Sequence, residues 1–280
     1  MIELIDPGLQ TTLQDLGRPG HAHLGVARSG AADRISLRRA NRLLGNAAGA
    51  AALECTLQGP QLRFRHACRV AVTGAQMPIE LDGQPCASDA IIAIAAGQRL
   101  RLGRTTLGAR AYLAVEGGLD VPETLGSCAT DVLSGLGPPV LRAGDVLRIG
   151  AERGWPASPD AAVVLEREPV LRLDLGPRAD RFTPEAVEQL TAAAYTVSLD
   201  SNRIGVRLQG PPLARCDASE LSSEGLIHGA IQVPADGQPL IFLADHPTTG
   251  GYPVIAVLRP ESVARAAQLV PGQRVRFCIA

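Results

Sequence analysis

The chain has 280 residues, room for about two domains of ordinary size, each with a sizeable core. A formal net charge of −1 and an aromatic content of 3% leave no cationic face for nucleic acid or anionic lipid and no base-stacking platform. No apolar run of roughly 18 residues could span a bilayer, and the start, Met1-Ile2-Glu3-Leu4-Ile5-Asp6, lacks the features of a secretory signal. Six cysteines without C-x-x-C spacing read as reduced thiols of a cytoplasmic protein.

In chain order, a strand-like start at Ile2 leads into a Gly-rich polar segment, Thr11 to Gly30. Ala32 to Leu44 reads as a helix: Ile35, Leu37, Ala40, Leu43 and Leu44 have helical spacing, and Gly45-Asn46 stops it. Strands are expected at Cys68–Thr73, Ala90–Ile94, Gln98–Leu102, Ala111–Glu116 and Val146–Ile149, with a hairpin turn at Asp82-Gly83. Arg153 to Glu168, with Trp155-Pro156 and Ser158-Pro159, reads as a linker. A second strand-like start at Val170 precedes a helix capped by Thr183, with Pro184 in its first position and Glu185 in its first turn. Further strands are expected at Ile231–Val233, Leu240–Ala244, Val254–Leu258 and Gln273–Cys278, with a third helix from Glu261 to Leu269. Short strands punctuated by 30 glycines and 21 prolines predict a mainly β fold of barrels with a few flanking helices.

The halves repeat one another. A-D-R-I-S at Ala32, L-Q-G-P at Leu57 and D-G-Q-P at Asp82 recur in the same order as A-D-R-F-T at Ala179, L-Q-G-P at Leu208 and D-G-Q-P at Asp236, offset by about 150 residues. An internal duplicate follows, with a first domain at 1–152, a linker at 153–168 and a second domain at 169–280. Two segments lie outside the repeat, Thr11–Gly30 and the stretch containing Ala244–Pro253, and chemistry is expected in what the copies do not share.

The first of these holds Gln14, Asp15, Arg18, His21, His23, Arg28 and Ser29. Arg18 offers a planar fork to a carboxylate or phosphate, and Asp15 can orient it or a substrate N–H. His21-x-His23 has no third ligand at matching spacing and reads as structural, so no metal site is expected. No P-loop sequence occurs. Glu54 is a carboxylate within an apolar stretch, open to a functional or a paired role. Towards the second, Ser222-Ser223-Glu224-Gly225, Gln232, Asp245, Thr248, Thr249 and Tyr252 gather hydroxyls, an amide and carboxylates around glycines, the composition of a small-molecule pocket. The two segments are expected to line one cleft.

These residues carry a resemblance. T-T-L-Q-D-L-G-R-P-G, G-V-A-R-S-G-A-A-D-R, A-A-L-E-C-T-L-Q-G-P and S-E-G-L-I-H-G-A-I-Q-V-P-A-D-G-Q-P together resemble the C-subunit family of 5-oxoprolinase, also called KipA-like or allophanate hydrolase subunit 2-like. It is similar to part of the carboxyltransferase region of urea carboxylase. The resemblance implies tandem cyclophilin-like β-barrels. It also implies one component, inactive alone, of an ATP-dependent complex that opens 5-oxoproline to glutamate. The partners so implied are a KipI-like protein and a LamB/YcsF-like protein, with ATP and Mg held by the complex. Such a reaction needs cations for phosphate and carboxylate, here Arg18 and Arg34, and a base for water, from Asp15, Glu54 or Asp245. Gln14, Ser29, Gln232, Thr248, Thr249 and Tyr252 complete the expected binding set. The chain departs from the family pattern at Cys128 and His246-Pro247. Two other functions compete: carboxyl transfer from carboxybiotin to urea or a similar acceptor, and non-catalytic antagonism of a kinase inhibitor.

Overall fold

The computed structural model describes residues 1–151, 158–159, 161–216, 219 and 221–280. Residues 153–157 and 160 of the expected linker lie outside the described residues. The chain folds as two compact units, one of Met1–Arg18 with Ser29–Val164, the other of Pro19–Arg28 with Leu165–Ala280. Among the described residues no helix is long and apolar enough to cross a membrane.

The first unit contains β1 (Ile2–Asp6), β2 (Gln10–Gln14), α1 (Arg34–Leu44), β3 (Ala52–Thr56), β4 (Gln61–Phe64), β5 (Cys68–Gln76), β6 (Ile79–Leu81), β7 (Gln84–Pro85), β8 (Ile91–Ile94), β9 (Arg99–Leu102), β10 (Leu107–Val115), β11 (Leu119–Asp120) and β12 (Val146–Ile149). Its strands divide between a seven-stranded sheet, β11-β12-β1-β4-β9-β6-β7, and a five-stranded sheet, β2-β3-β10-β5-β8. Ile2, Leu4, Leu62 and Leu100 of the first and Leu53, Val70, Val72, Leu113 and Val115 of the second share one buried core. The segment expected to be an insertion loop begins as a strand, because Gln10–Gln14 pairs along its whole length with β3. Asp82 and Gly83 both have positive φ, the backbone of a type I′ hairpin, as the Asp-Gly pair predicts.

Strands β2, β3, β5 and β10 of the five-stranded sheet are largely buried on both faces, and strand period decides which residues meet what. Leu53, Cys55, Ala111, Leu113 and Val115 face the core between the sheets, while Ala52, Ala71, Tyr112 and Ala114 pack against Leu37, Ala40 and Leu44 of α1. Asp33 caps α1: its carboxylate accepts from Ser36 N at 3.0 Å and Ser36 Oγ at 2.6 Å. Gly45 closes the helix in the left-handed conformation.

The second unit contains β13 (Val170–Leu175), α2 (Pro184–Ala192), β14 (Ala194–Val197), β15 (Gly205–Gln209), β16 (Glu224–Gly225), β17 (Ala230–Gln232), β18 (Leu240–Phe242), β19 (Thr249–Gly250), β20 (Val254–Leu258), α3 (Pro260–Ala266) and β21 (Arg274–Ile279). Seven strands close a barrel in the order β13-β20-β17-β18-β15-β14-β21, and β16 pairs with β19 as a separate ribbon. Closure rests on β21, which pairs antiparallel with β14 and parallel with β13. The helix α3 ends at Ala266, short of the expected Leu269. The repeated A-D-R differs locally: Ala179–Arg181 is a 3-10 turn, and Thr183 rather than the Asp caps the following helix. The repeated L-Q-G-P differs too, since Leu57 is a left-handed residue beyond β3 whereas Leu208 and Gln209 end β15.

Candidate functional site

In the first unit, the helix-facing side of the five-stranded sheet carries a row of polar residues in an otherwise apolar surface. Thr12, Glu54, Tyr112 and Thr73 are direct cross-strand neighbours, and each is 1% exposed or less. Tyr112 donates from its hydroxyl to Glu54 Oε2 at 2.7 Å and accepts from Asp33 N at 2.7 Å. Glu54 also accepts from Ala32 N at 3.0 Å and lies 3.5 Å from Arg110 Nε. Thr73 donates to Ser36 O at 2.7 Å. The row fixes the start of α1 and the A-D-R segment. Burial first, then the negative charges of Glu54 and Asp33, push the Tyr112 hydroxyl well above its ordinary range, so it stays a donor.

At the end of β2 the polar residues turn to a second loop. Gln14 Nε2 donates to Thr130 O at 2.9 Å and to Thr12 Oγ1 at 3.0 Å. Ser29, at φ 53°, donates to Thr130 O at 3.4 Å. The Asp15 carboxylate accepts from Gly17 N, Ser127 Oγ and Cys128 N, each at 2.7 Å. Arg18 is 1% exposed, donates from Nε to Thr124 O at 3.3 Å and from Nη2 to Ala129 O, and has a buried Nη1 with no partner among the described residues. Asp15 and Arg18 therefore grip the same segment, 124–130, and do not pair with each other. Arg34, in the first turn of α1, donates to Ser29 O at 3.3 Å. A Cβ at Gly30 would lie 2.6 Å from Gly17 N, so this crossing of chains needs a glycine there. Burial, with Asp15 next, raises the Cys128 thiol to about 11.

The second unit gathers the other candidates. Gln232 is buried and donates to Tyr252 O at 2.8 Å. Glu224–Gly225 pairs with Thr249–Gly250, and Leu226 N reaches Thr248 O at 2.9 Å. A Cβ at Gly250 would come within 2.8 Å of both Gln232 Nε2 and Leu226 Cδ1, which explains the glycine at the turn. Arg178 binds the Glu224 carboxylate through both Nε and Nη2, and these hydrogen bonds hold Glu224 below its ordinary range. Arg215 lies over the Tyr252 ring, 5.6 Å from its centre. Asp245 is completely buried in a two-point pair with Arg203, at 2.9 and 3.0 Å. His246 stacks on His228 at 6.4 Å between ring centres.

The structure thus places Gln14, Asp15, Arg18, Ser29 and Arg34 around one loop system and Glu54 in the row beneath it. It joins Gln232, Thr248, Thr249 and Tyr252 through the ribbon, and sets Asp245 in the pair with Arg203. Tyr112, Arg110, Arg178, Arg203 and Arg215 escaped sequence reasoning. Only Tyr112 had a signal, a hydroxyl at every-second-residue spacing within an apolar strand. His21 precedes a 3-10 turn at Ala22–Leu24 that contains His23, and among the described residues no three His, Cys, Asp or Glu side chains gather to hold a metal.

The family described as carboxyltransferase domain, subdomain A and B, matches residues 24–279. The chain belongs to this carboxyltransferase-domain family. Among its relatives, the C subunit of 5-oxoprolinase from Escherichia coli is 39% identical over 99% of this chain and 90% of its own length. The corresponding C subunit from Haemophilus influenzae is 34% identical with the same coverage. In structure, the carboxyltransferase-domain chain superposes on the crystal structure of K. lactis urea amidolyase with a TM-score of 0.92 at 32% identity, covering 99% of this chain and 18% of that one.

Proposed function

We propose that this chain is the C subunit of an ATP-dependent 5-oxoprolinase complex that opens 5-oxoproline to glutamate. The observation that carries the reading is its 39% identity to the Escherichia coli C subunit over 99% of this chain, against 32% for urea amidolyase. A lactam is a poor electrophile, and phosphorylating its oxygen makes the ring carbon open to water. The site must hold anions and supply a base. The first need is assigned to Arg18, whose buried Nη1 has no acceptor among the described residues. For the second, Asp15 accepts three hydrogen bonds, Glu54 is bound to Tyr112 and Ala32, and Asp245 is bound to Arg203. Carboxylates whose oxygens are already taken up by these donors are poorly placed to meet a water. The chain therefore supplies binding and orientation, and the base for water, together with ATP and its magnesium, is assigned to the complex with KipI-like and LamB/YcsF-like partners.

The test is ATP turnover by the co-purified complex with 5-oxoproline present or omitted. Phosphate release dependent on 5-oxoproline is expected from the complex and not from the isolated chain, and Arg18→Ala should remove most of it. Turnover by the single chain, or an unaffected variant, would overturn the reading. The likeness to urea amidolyase favours a second reading, carboxyl transfer from carboxybiotin to urea. Carboxylation of urea by the same complex, without 5-oxoproline-dependent turnover, would select it.

A further inference from the structure

Beside Tyr252 the second unit has a cavity of about 490 Å³ lined by Pro212, Leu213, Arg215, Pro234, Ala235 and Asp236 among others, within the size range of small-molecule sites. Its floor is held from two sides. Thr183 N donates to Ala214 O at 3.1 Å and Cys216 N to Arg181 O at 2.9 Å, while Leu213 N donates to Gly237 O at 2.9 Å. Arg215 is fixed on this floor by Nη2 donating to Val233 O and by its place over the Tyr252 ring. Among the described residues its buried Nε has no acceptor and no carboxylate pairs with it. A guanidinium that is oriented in advance, partly desolvated and left with spare donors is an anion receptor. The same cavity holds a negative group: Asp236, whose Oδ1 accepts from Gln238 N at 3.0 Å. Prolines, a leucine and an alanine supply the remaining wall.

We propose that this cavity binds a small amino-acid-like molecule, with its carboxylate on Arg215, its N–H group towards Asp236 and its carbon skeleton against Pro212, Leu213 and Pro234. The site stands on its own lining and holds whichever reaction the assembled enzyme performs; its failure would leave the turnover test untouched.

The test is binding to the purified chain by isothermal titration, with NMR mapping, of three probes: 5-oxoproline, L-proline and 2-pyrrolidinone, which lacks the carboxylate. At least one of the two carboxylates should bind, shifting signals at 212–216 and 234–237, and 2-pyrrolidinone should bind at least about tenfold more weakly. Arg215→Gln should weaken the carboxylates by about tenfold or more, and Asp236→Asn, which keeps the oxygen that caps Gln238, should weaken L-proline, whose charged ammonium loses its counter-charge, more than 2-pyrrolidinone, whose neutral N–H keeps an acceptor. Should Arg215→Gln fail to fold, the comparison of the three probes on the unaltered chain still decides. Equal binding of 2-pyrrolidinone, binding mapped elsewhere, or no binding of either carboxylate would overturn the proposal.

Discussion

Among single residues, the buried ionic groups respond most to substitution. Asp245 holds Arg203 at two points, and both side chains are within 1% of complete burial. A carboxamide in place of the carboxylate breaks a buried ion pair in a low-dielectric site, at a cost of about 3–5 kcal/mol. Asp245→Asn should therefore lower the urea midpoint strongly, and replacing both partners by apolar residues should recover much of the loss. An Asp245→Asn protein as stable as the parent would show that the pair contributes little. The thiols give a pH signature. Burial pushes Cys55 from an ordinary 9.0 up to about 12, with Thr11 opposing and Glu54 adding, and it raises Cys68 to about 11. The folded chain holds these protons more tightly than the unfolded one, so their stabilising contribution is complete below pH 9.0 and is lost as pH rises towards 12. Unfolding free energy should fall over that alkaline window, and Cys55→Ala should flatten the fall; identical alkaline profiles for the two proteins would refute the assignment.

At the scale of elements, α1 and α2 show how one repeated motif acquires two uses. Asp33 caps α1 through two contacts to Ser36, and its own N–H is bound by Tyr112. Thr183 caps α2 through one contact to Ala186 N at 3.2 Å. Asp33→Ala should cost about 0.5–2 kcal/mol and more than Thr183→Ala, because it also loosens the segment over the Glu54–Tyr112 row. Thermal melts of the two variants check the order, and a larger loss at Thr183 would contradict it. The helices were readable because caps and stops are local. By contrast, β2 and β3 were missed: Q-T-T-L-Q and A-L-E-C-T lack clean polar–apolar alternation, and a sheet buried on both faces erases it.

For the whole molecule, the mainly β class and the family follow from short strands, Gly and Pro punctuation and the quoted motifs, and they hold in the structure. The closed barrel belongs to the second unit, where β21 joins β13 to β14, while the strands of the first unit divide between two sheets sharing one core. The proposed role within a larger complex is decided at this scale as well. With its candidate carboxylates already hydrogen-bonded or ion-paired, the chain is expected to show no 5-oxoproline turnover until its partners are added.

The sequence by itself determined the fold class, the Thr183 cap, the Gly45 stop, the Asp82-Gly83 hairpin and the two polar segments, because each depends on neighbours a few residues apart. Only the tertiary structure decided what those polar groups do. Gln14, Asp15 and Arg18 meet backbone groups of residues 124–130 across more than a hundred residues of chain. Glu54 meets Tyr112 through strand register, Asp245 meets Arg203 across 42 residues of chain, and Arg215 lies over the Tyr252 ring. A side chain's charge and reach are local properties, but its partner is fixed by which strands pair and in what register, and that depends on long-range contacts no short window of sequence contains.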